Sequence, residues 1–359
     1  MQKVKAVIQL HAIRDNAARF AALTNTRLCA VVKANAYGHG AEETVNALEG
    51  IADFFAVALV EEGLAIRAAA CGKEILVFTP PTDKEEGYAL AANGFVASVP
   101  DLETAKLLSC VCKQYALPLK VHLKVNTGMN RYGMDGQELK IVCEFLHADP
   151  FVKVTGIYSH LCECSYTRAQ AQRALFADMQ AVCKGYFPKA IAHLSATYGA
   201  LLGEEFAYDA VRVGIGLYGY LPCEASKRTG VSAERVKMLS LQKAMTVWAK
   251  TTATRLFRFG GAGYGEAYRE RKPNYLSVAR FGYADGFLRK KENGTENFEK
   301  NANALCMDVC IREEKGRLGE WLPIMTDAEK TAALTGTIAY EVLCAATRRA
   351  EFVYDSQTF

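Results

Sequence analysis

Short apolar segments alternate with amphipathic ones through the first two thirds of the chain. Eight of the apolar segments have the length of buried strands, and we predict strands at residues 28–32, 54–59, 74–78, 95–98, 119–125, 154–158, 190–194 and 210–215. Helical patterns lie between them, as at 60–70, 101–112, 137–147 and 168–184. This alternation favours an α/β fold with an N-terminal (β/α)8 TIM barrel, and an open doubly wound sheet is the alternative.

Polar residues at the strand ends favour the barrel over the open sheet. They fall at or just beyond the carboxyl ends of predicted strands, and they are Lys33, Lys124, His160, His193 and Arg212. In a parallel barrel these positions converge on one face, where active sites lie. Polar residues scattered through a core or over a surface would show no such preference.

From about residue 237 the pattern changes to β-rich stretches at 241–257, 275–281, 304–310 and 322–324, without a long amphipathic helix. We therefore predict two domains, a barrel at residues 1–235 and a mostly β C-terminal domain at 236–359. A strand at 4–9 and a helix at 12–23 precede the barrel strands, 289–303 is predicted as a polar surface loop, and 328–334 as a short helix.

Composition excludes several classes of function. The chain has 359 residues, of which 50% are hydrophobic and 23% charged, and a net charge of +4, as in ordinary soluble proteins. No basic block suits nucleic acid, and no apolar run is long enough to span a membrane. The N-terminus lacks a signal-peptide core and the twelve cysteines lack paired C-x-x-C spacing, so we expect a cytoplasmic protein with reduced thiols and no metal.

Lys33 stands at the end of an apolar strand and is followed by small, turn-forming residues. Burial opposes the charge of a lysine and lowers its pKa. A Schiff-base lysine needs this environment, because only the neutral amine attacks an aldehyde. A surface lysine at a strand end is the alternative, which the residues around Lys33 disfavour.

Seven segments along the chain carry a resemblance to a known family. They are Val31-Val-Lys-Ala-Asn-Ala-Tyr-Gly-His-Gly40, Lys124-Val-Asn-Thr-Gly-Met-Asn-Arg131, Val211-Arg-Val-Gly-Ile-Gly-Leu-Tyr-Gly219, Gly263-Tyr-Gly265, Gly282-Tyr-Ala-Asp-Gly286, Met307-Asp308 and Gly336-Thr-Ile-Ala-Tyr-Glu341. The first resembles the lysine motif of the bacterial alanine racemases, which depend on pyridoxal 5'-phosphate (PLP). The resemblance covers nearly the whole chain, in matching order.

The resemblance implies an isomerase that interconverts L- and D-alanine through a PLP external aldimine and supplies D-alanine for peptidoglycan. Racemisation moves a proton from one face of the α carbon to the other, so two acid–base groups should flank it. By the family pattern these groups are Lys33 and Tyr264. His160 and Arg131 are the candidates that stabilise the tyrosine anion, and Arg212 faces the cofactor ring nitrogen.

The same resemblance implies the remaining site residues. The cofactor-binding residues would be Lys33, Tyr37, His193, Thr197, Arg212, Gly214, Ile215 and Arg348, and the substrate-binding residues Arg131, Tyr283, Met307 and Asp308. In this family Tyr264, Tyr283 and Met307 come from the partner subunit's β domain, so the resemblance also implies a homodimer with shared sites.

Three departures from the family pattern leave the substrate open. Ala196 stands where an asparagine is usual, Arg348 where many members have tyrosine, and Asn126 where aspartate is common. A larger or more polar pocket would make a serine or broad small-amino-acid racemase the alternative. Lys124 beside Asn126 matches a lysine that is carbamylated in relatives. A non-catalytic PLP-binding homeostasis protein is a third hypothesis, but such proteins usually lack the β domain.

Overall fold

The structure is a computed structural model that describes residues 4–162, 165–222, 230–257, 274–287, 304–312 and 314–355. The described residues form two compact units. One consists of Ala12–Ala36 and Ala41–Gln242, and we call it the barrel unit. The other consists of the described parts of Met1–His11, Tyr37–Gly40 and Lys243–Phe359, and we call it the β unit.

The elements follow one another along the chain as follows. The strands are β1 (Val4–Gln9), β2 (Arg27–Val31), β3 (Phe54–Val57), β4 (Ile75–Val77), β5 (Val96–Val99), β6 (Leu119–Lys124), β7 (Val152–Tyr158), β8 (Ile191–His193), β9 (Ala210–Val213), β10 (Met245–Phe257), β11 (Asn274–Ala279), β12 (Ala304–Leu305), β13 (Cys310–Arg312), β14 (Trp321–Met325) and β15 (Glu351–Asp355). The helices are α1 (Leu10–Thr24), α2 (Lys33–Gly38), α3 (Ala41–Ala47), α4 (Val60–Ile66), α5 (Lys84–Ala92), α6 (Leu102–Tyr115), α7 (Gly136–His147), α8 (Tyr166–Tyr186), α9 (Gly199–Leu202), α10 (Ala233–Leu239), α11 (Ala328–Thr335) and α12 (Ala339–Ala345).

The barrel unit contains a parallel eight-stranded sheet in the order β8-β7-β6-β5-β4-β3-β2-β9. A parallel bridge between Ala196 and Arg212 joins its two ends, so the sheet is a nearly closed barrel. All eight predicted strands are present, and each observed end lies within two residues of the predicted end. The predicted barrel is therefore confirmed. Its strands are continuous apolar runs because both faces of a parallel sheet are buried.

Helix boundaries in the barrel follow ordinary capping chemistry. Asp101 precedes α6, and its carboxylate accepts a hydrogen bond from the Thr104 amide at 2.7 Å. Asp83 caps α5 in the same way through the Glu86 amide at 2.9 Å. We predicted the first of these helices but not α5, which carries little amphipathic pattern.

The β unit contains a sheet in the order β12-β13-β11-β10-β1-β15, with β14 also paired to β10. Strand β10 is its centre, because β1, β11 and β14 all pair with it in antiparallel fashion. The first strand of the chain therefore belongs to this sheet rather than to the barrel. The mostly β character of the C-terminal part is confirmed, while the boundary at 235/236 stays a prediction.

Two further predictions concern the C-terminal part of the chain. The β-rich stretch 304–310 is a hairpin, in which β12 and β13 pair and residues 306–309 form the turn. The predicted loop at 289–303 lies outside the described residues. No helix among the described residues is long and apolar enough to cross a lipid bilayer.

A glycine on β7 makes room for a histidine on β6, and this contact gives a test of the barrel packing. A Cβ atom on Gly156 would lie 2.6 Å from the imidazole of His122. We expect Gly156→Ala to lower the free energy of unfolding by roughly 1–3 kcal/mol, since overpacked cores must shift backbone or side chains.

The matched control is Gly185→Ala in α8, where no atom lies within 4 Å of the added Cβ. Denaturant unfolding should show that the control is unchanged or slightly more stable. Equal stability of the Gly156→Ala variant and the wild type would contradict this packing.

Candidate active site

Lys33 begins α2, which is a left-handed turn. Ala34, Asn35, Ala36 and Tyr37 have φ angles of 52°, 52°, 54° and 53°, and Gly38 follows at 81°. L-residues pay about 1–2 kcal/mol each in this conformation, so four in succession are exceptional. Strained backbone of this kind clusters at functional sites and persists only where surrounding structure fixes it.

Arg212 lies on β9, and its guanidinium is buried, with 3% of the residue exposed. It donates hydrogen bonds to the backbone carbonyls of His193, Ser159 and Leu194 at 2.7, 2.6 and 3.0 Å. Among the described residues no carboxylate pairs with it. Burial lowers the pKa of Arg212 to about 10, so the group stays charged at neutral pH and leaves the site electropositive.

Arg212 and two buried imidazoles form a chain of hydrogen bonds. Arg212 Nη1 lies 2.9 Å from His193 Nδ1, and His193 Nε2 lies 2.9 Å from His122 Nδ1. Because a guanidinium only donates, His193 Nδ1 must accept, which places the proton of His193 on Nε2. That proton is donated to His122 Nδ1, so His122 also carries its own proton on Nε2.

Both of these imidazoles are neutral. Burial, followed by the charge of Arg212, lowers the pKa of His122 to about 3 and that of His193 well below its usual value. The ring of Tyr158 stacks on His193 with centroids 5.0 Å apart, and its hydroxyl contacts the hydroxyl of Ser98 at 2.6 Å. The imidazole chain is therefore packed as well as hydrogen-bonded.

His160 shows which charges converge at this end of the barrel. Its Nδ1 lies 3.4 Å from Arg212 Nη2, a weak contact in which the imidazole accepts. Burial, and after it the charges of Arg212, Arg131, Lys124 and Lys33, together lower the pKa of His160 to about 3. The predicted residues of the barrel unit thus act on one another electrostatically, and His160 stays neutral.

Lys124 ends β6 and is buried, with 5% of the residue exposed. Its ammonium donates to the Val125 carbonyl at 2.8 Å and lies 5.3 Å from the centre of the Tyr158 ring. Burial, then the charges of Arg212 and Arg131, lowers its pKa to about 7. A large fraction of Lys124 is therefore a neutral amine at physiological pH.

Arg131 is exposed on the loop that follows β6. Asn126 shapes this loop, because its side-chain oxygen accepts from the amides of Gly128 and Asn130 at 3.0 Å. Its amide nitrogen donates to the Asn130 side chain at 2.8 Å, which an aspartate at this position could not do. The departure at Asn126 thus stabilises the loop that carries Arg131.

Thr197 and the glycines after β9 form a tight backbone cradle. Thr197 Oγ1 accepts from the Gly216 amide at 3.3 Å, and a 3-10 turn runs over Ile215–Tyr218. A Cβ atom on Gly216 would lie 2.5 Å from Phe20, so only glycine fits there. The first amides of such a turn are not used by the turn itself, which suits an anion.

Five of the predicted residues that the structure describes lie in the β unit. Tyr37 is buried, its ring lies 6.0 Å from that of Tyr340, and burial raises its pKa, so its hydroxyl keeps its proton. Tyr283 and Met307 are joined through the β12–β13 turn, because the Tyr283 amide donates to the carbonyl of Cys306 at 3.0 Å. Met307 is half exposed, at 51%.

Asp308 and Arg348 belong to the same unit. Asp308 accepts a hydrogen bond from Arg349 at 2.8 Å, which holds the turn that carries Met307. Arg348 is exposed. The predicted base Tyr264 lies outside the described residues.

Sequence reasoning missed His122 and Tyr158. His122 interrupts an apolar strand two residues before Lys124, so the two side chains share one face of β6. That alternation was the available signal. The described residues contain no group of three or more metal-ligating side chains.

A nearly closed parallel barrel whose strand ends carry lysine and arginine has the architecture of a barrel enzyme with a cationic site. The chain belongs to the alanine racemase family: the profile of the alanine racemase N-terminal domain matches residues 8–222, and that of the C-terminal domain matches residues 244–354. It is therefore an enzyme of a family of amino-acid racemases.

Relatives agree over the full length. The chain is 31% identical over 373 residues to an alanine racemase of Lactobacillus delbrueckii subsp. bulgaricus, covering 98% of this chain and 97% of that protein. The structure of alanine racemase from Clostridium difficile 630 is similar with a TM-score of 0.86 at 27% identity, covering 99% and 96% of the two chains. Alanine racemase from Bartonella henselae with covalently bound pyridoxal phosphate is similar with a TM-score of 0.83 at 26% identity, covering 99% and 100%.

The lowered pKa of Lys124 predicts a pH-dependent stability. Between pH 7 and the unfolded lysine pKa near 10.5, the unfolded chain binds more protons than the folded one, so stability rises with pH. Relative to Lys124→Met, the wild type should gain up to about 1.4 kcal/mol per pH unit in this window.

The measurement is urea unfolding of both proteins from pH 6 to pH 9 in carbon dioxide-free buffer. Lys120→Met is the matched control, because Lys120 lies on the same strand with an exposed side chain. A difference between wild type and Lys124→Met that does not change with pH would contradict the assignment.

Proposed function

We propose that this enzyme is a PLP-dependent alanine racemase that interconverts L- and D-alanine and supplies D-alanine for peptidoglycan. The observation that carries the proposal is the cationic cluster around Arg212, in which a buried guanidinium has only neutral partners among the described residues. Such a cluster is suited to an anionic cofactor and a carboxylate substrate. Family membership supports the reaction type.

The residues of this chain fit the proposed cofactor. The Gly216 amide donates to Thr197 Oγ1 in the 3-10 turn after β9, and the amides of Gly214 and Ile215 at the start of that turn are the proposed donors to a phosphate. The protonated Tyr37 hydroxyl is a further donor, and Lys33 supplies the amine for an aldehyde. The proposed cofactor-binding residues are Lys33, Tyr37, His193, Thr197, Arg212, Gly214, Ile215 and Arg348.

When bound, PLP withdraws electrons from an attached amino acid and so acidifies its α C–H bond. Lys33 Nζ then takes or returns the α proton on one face of the carbon. The partner subunit's Tyr264 does the same through its hydroxyl on the opposite face. Two acid–bases on opposite faces are what inversion of the carbon requires.

Arg212 determines which chemistry follows proton removal. Facing the ring nitrogen of PLP, Arg212 would donate a hydrogen bond and keep its own proton, since its pKa is about 10 even when buried. Arg212 would therefore leave that nitrogen unprotonated, which would make PLP a weaker electron sink. We infer that this restrains transamination and leaves mainly proton exchange.

Arg131 is the proposed partner of the substrate carboxylate. Its guanidinium is exposed, and its loop is fixed by Asn126. A planar fork of donors binds a carboxylate in two places and so fixes the orientation of the α carbon. Met307 and Tyr283 would complete the substrate pocket from the partner subunit's β domain, with Asp308 supporting the turn.

A serine or broad small-amino-acid racemase is the second candidate, and Ala196 and Arg348 favour it. Ala196 pairs with Arg212 through its backbone, and its methyl group cannot replace the amide that is usual in the family. Arg348 is exposed and stands where many family members have a tyrosine, so the pocket beside the substrate side chain would be larger or more polar. The test is production of D-amino acids from a panel of L-amino acids with added PLP. Faster turnover of alanine than of serine supports the proposal, and a clear serine preference overturns alanine as the main substrate.

A tyrosine substitution tests the two-base mechanism. We expect Tyr264→Phe to keep the absorbance of lysine-bound PLP but to lose about 100-fold or more in turnover from at least one enantiomer, because a positioned acid–base contributes about 10²–10⁴-fold. Turnover is measured separately from L- and D-alanine. Unchanged turnover in both directions would reject the assignment.

Mixing two inactive variants tests the proposed dimer. Lys33→Ala and Tyr264→Phe, unfolded and refolded together, would form hybrids in which one of the two sites carries neither substitution. Half of the dimers are hybrids, so activity should return to about a quarter of the wild-type value. No recovery, with both variants folded and dimeric by size-exclusion chromatography, would contradict shared sites.

A further inference from the structure

Glu62 joins the ends of two neighbouring barrel strands through one carboxylate. Its Oε1 accepts a hydrogen bond from the Ala34 amide at 2.7 Å. Its Oε2 accepts from the amides of Ala58 and Leu59 at 2.7 and 3.2 Å. Ala34 follows Lys33 after β2, while Ala58 and Leu59 follow β3, which pairs with β2.

The contact at Oε2 is ordinary helix capping. Leu59 precedes α4 and has no side chain that can cap it, and Glu62 in the first turn bonds its amide instead. Capping requires only one carboxylate oxygen. It gives no reason for the second oxygen to reach the loop after the adjacent strand.

The contact at Oε1 falls where the backbone is most strained. Ala34 is the first of the four non-glycine residues with positive φ, and its amide directly follows the lysine. A right-handed path is the default for alanine, so the left-handed turn needs an interaction that the alternative path lacks. A hydrogen bond to a charged carboxylate is among the stronger ones available.

We propose that Glu62 is a positioning residue, which holds the left-handed turn and thereby fixes where the Lys33 side chain leaves the end of β2. The catalytic role of Lys33 rests on the proposed function. The hydrogen bond by which Glu62 stabilises the left-handed turn is independent of that function. Glu62 acts through the Ala34 amide and does not contact the reacting atoms.

The test compares Glu62→Gln with Glu61→Gln, its exposed neighbour on the same helix. A glutamine at residue 62 has a single acceptor oxygen in place of two. We expect that oxygen to stay with the amides of Ala58 and Leu59, because two donors lie there and only one at Ala34. The Ala34 amide then loses its acceptor. Amide hydrogen exchange in residues 33–38, measured without PLP, should accelerate about tenfold or more in Glu62→Gln and not in Glu61→Gln.

A second readout follows PLP itself. Borohydride reduction and peptide mapping measure the fraction of Lys33 joined to PLP at limiting cofactor. This fraction should fall in Glu62→Gln, and Ala34→Gly in the same chain should restore it, because glycine adopts positive φ without steric cost. Recovery by this substitution would not be expected if Glu62 only capped α4.

Three results would overturn the proposal: unchanged exchange in Glu62→Gln, equal changes in Glu61→Gln, or no recovery with Ala34→Gly. If Glu62→Gln fails to fold, recovery of folding by Ala34→Gly supports the proposal, and failure of both chains overturns it. A wild type that neither racemises amino acids nor joins PLP to Lys33 would overturn the proposed function, while the exchange result would stand by itself.

Discussion

The buried charge of Arg212 is the constraint on which the rest of the barrel site depends. A guanidinium removed from water must be satisfied by acceptors, and here these are three carbonyl groups, the imidazole of His193 and, more weakly, that of His160, rather than a carboxylate. The positive charge is therefore solvated but not neutralised. Burial, and after it this charge, keeps His193 and His160 neutral and lowers the pKa of Lys124 to about 7.

Barrel topology explains how residues far apart in sequence meet at this charge. Arg212 on β9 is in register with Cys29 on β2, four residues before Lys33. His193 ends β8, and Lys124 ends β6. Because all eight strands are parallel, their carboxyl ends share one edge of the barrel, and the polar residues that follow them converge there.

Much of this arrangement was predictable. Continuous apolar runs identified the barrel strands, and the polar residues that followed them identified the edge where they meet. The left-handed turn after Lys33 was not predictable, because alanine favours right-handed helix and nothing local in Ala34 or Ala36 signals positive φ. The hydrogen bond from Ala34 to Glu62, which lies 28 residues further along the chain, is a tertiary interaction.

Other features escaped prediction for related reasons. Strand β1 has an unremarkable alternating pattern, and its pairing with β10 depends on partners more than two hundred residues away. His122 lies within an apolar strand, and its role depends on a neighbour on β8. Met307 and Asp308 were assigned by resemblance, and only the fold shows that they occupy the turn of a hairpin.

The most direct test of this account is the protonation of the imidazoles around Arg212. Nitrogen-15 NMR of the imidazole side chains, assigned with single histidine substitutions, reports both charge and tautomer. The account predicts that His122, His160 and His193 are neutral from pH 5 to pH 8, each with its proton on Nε2. A charged imidazole, or a proton on Nδ1 of His193, would contradict the hydrogen-bond chain that begins at Arg212.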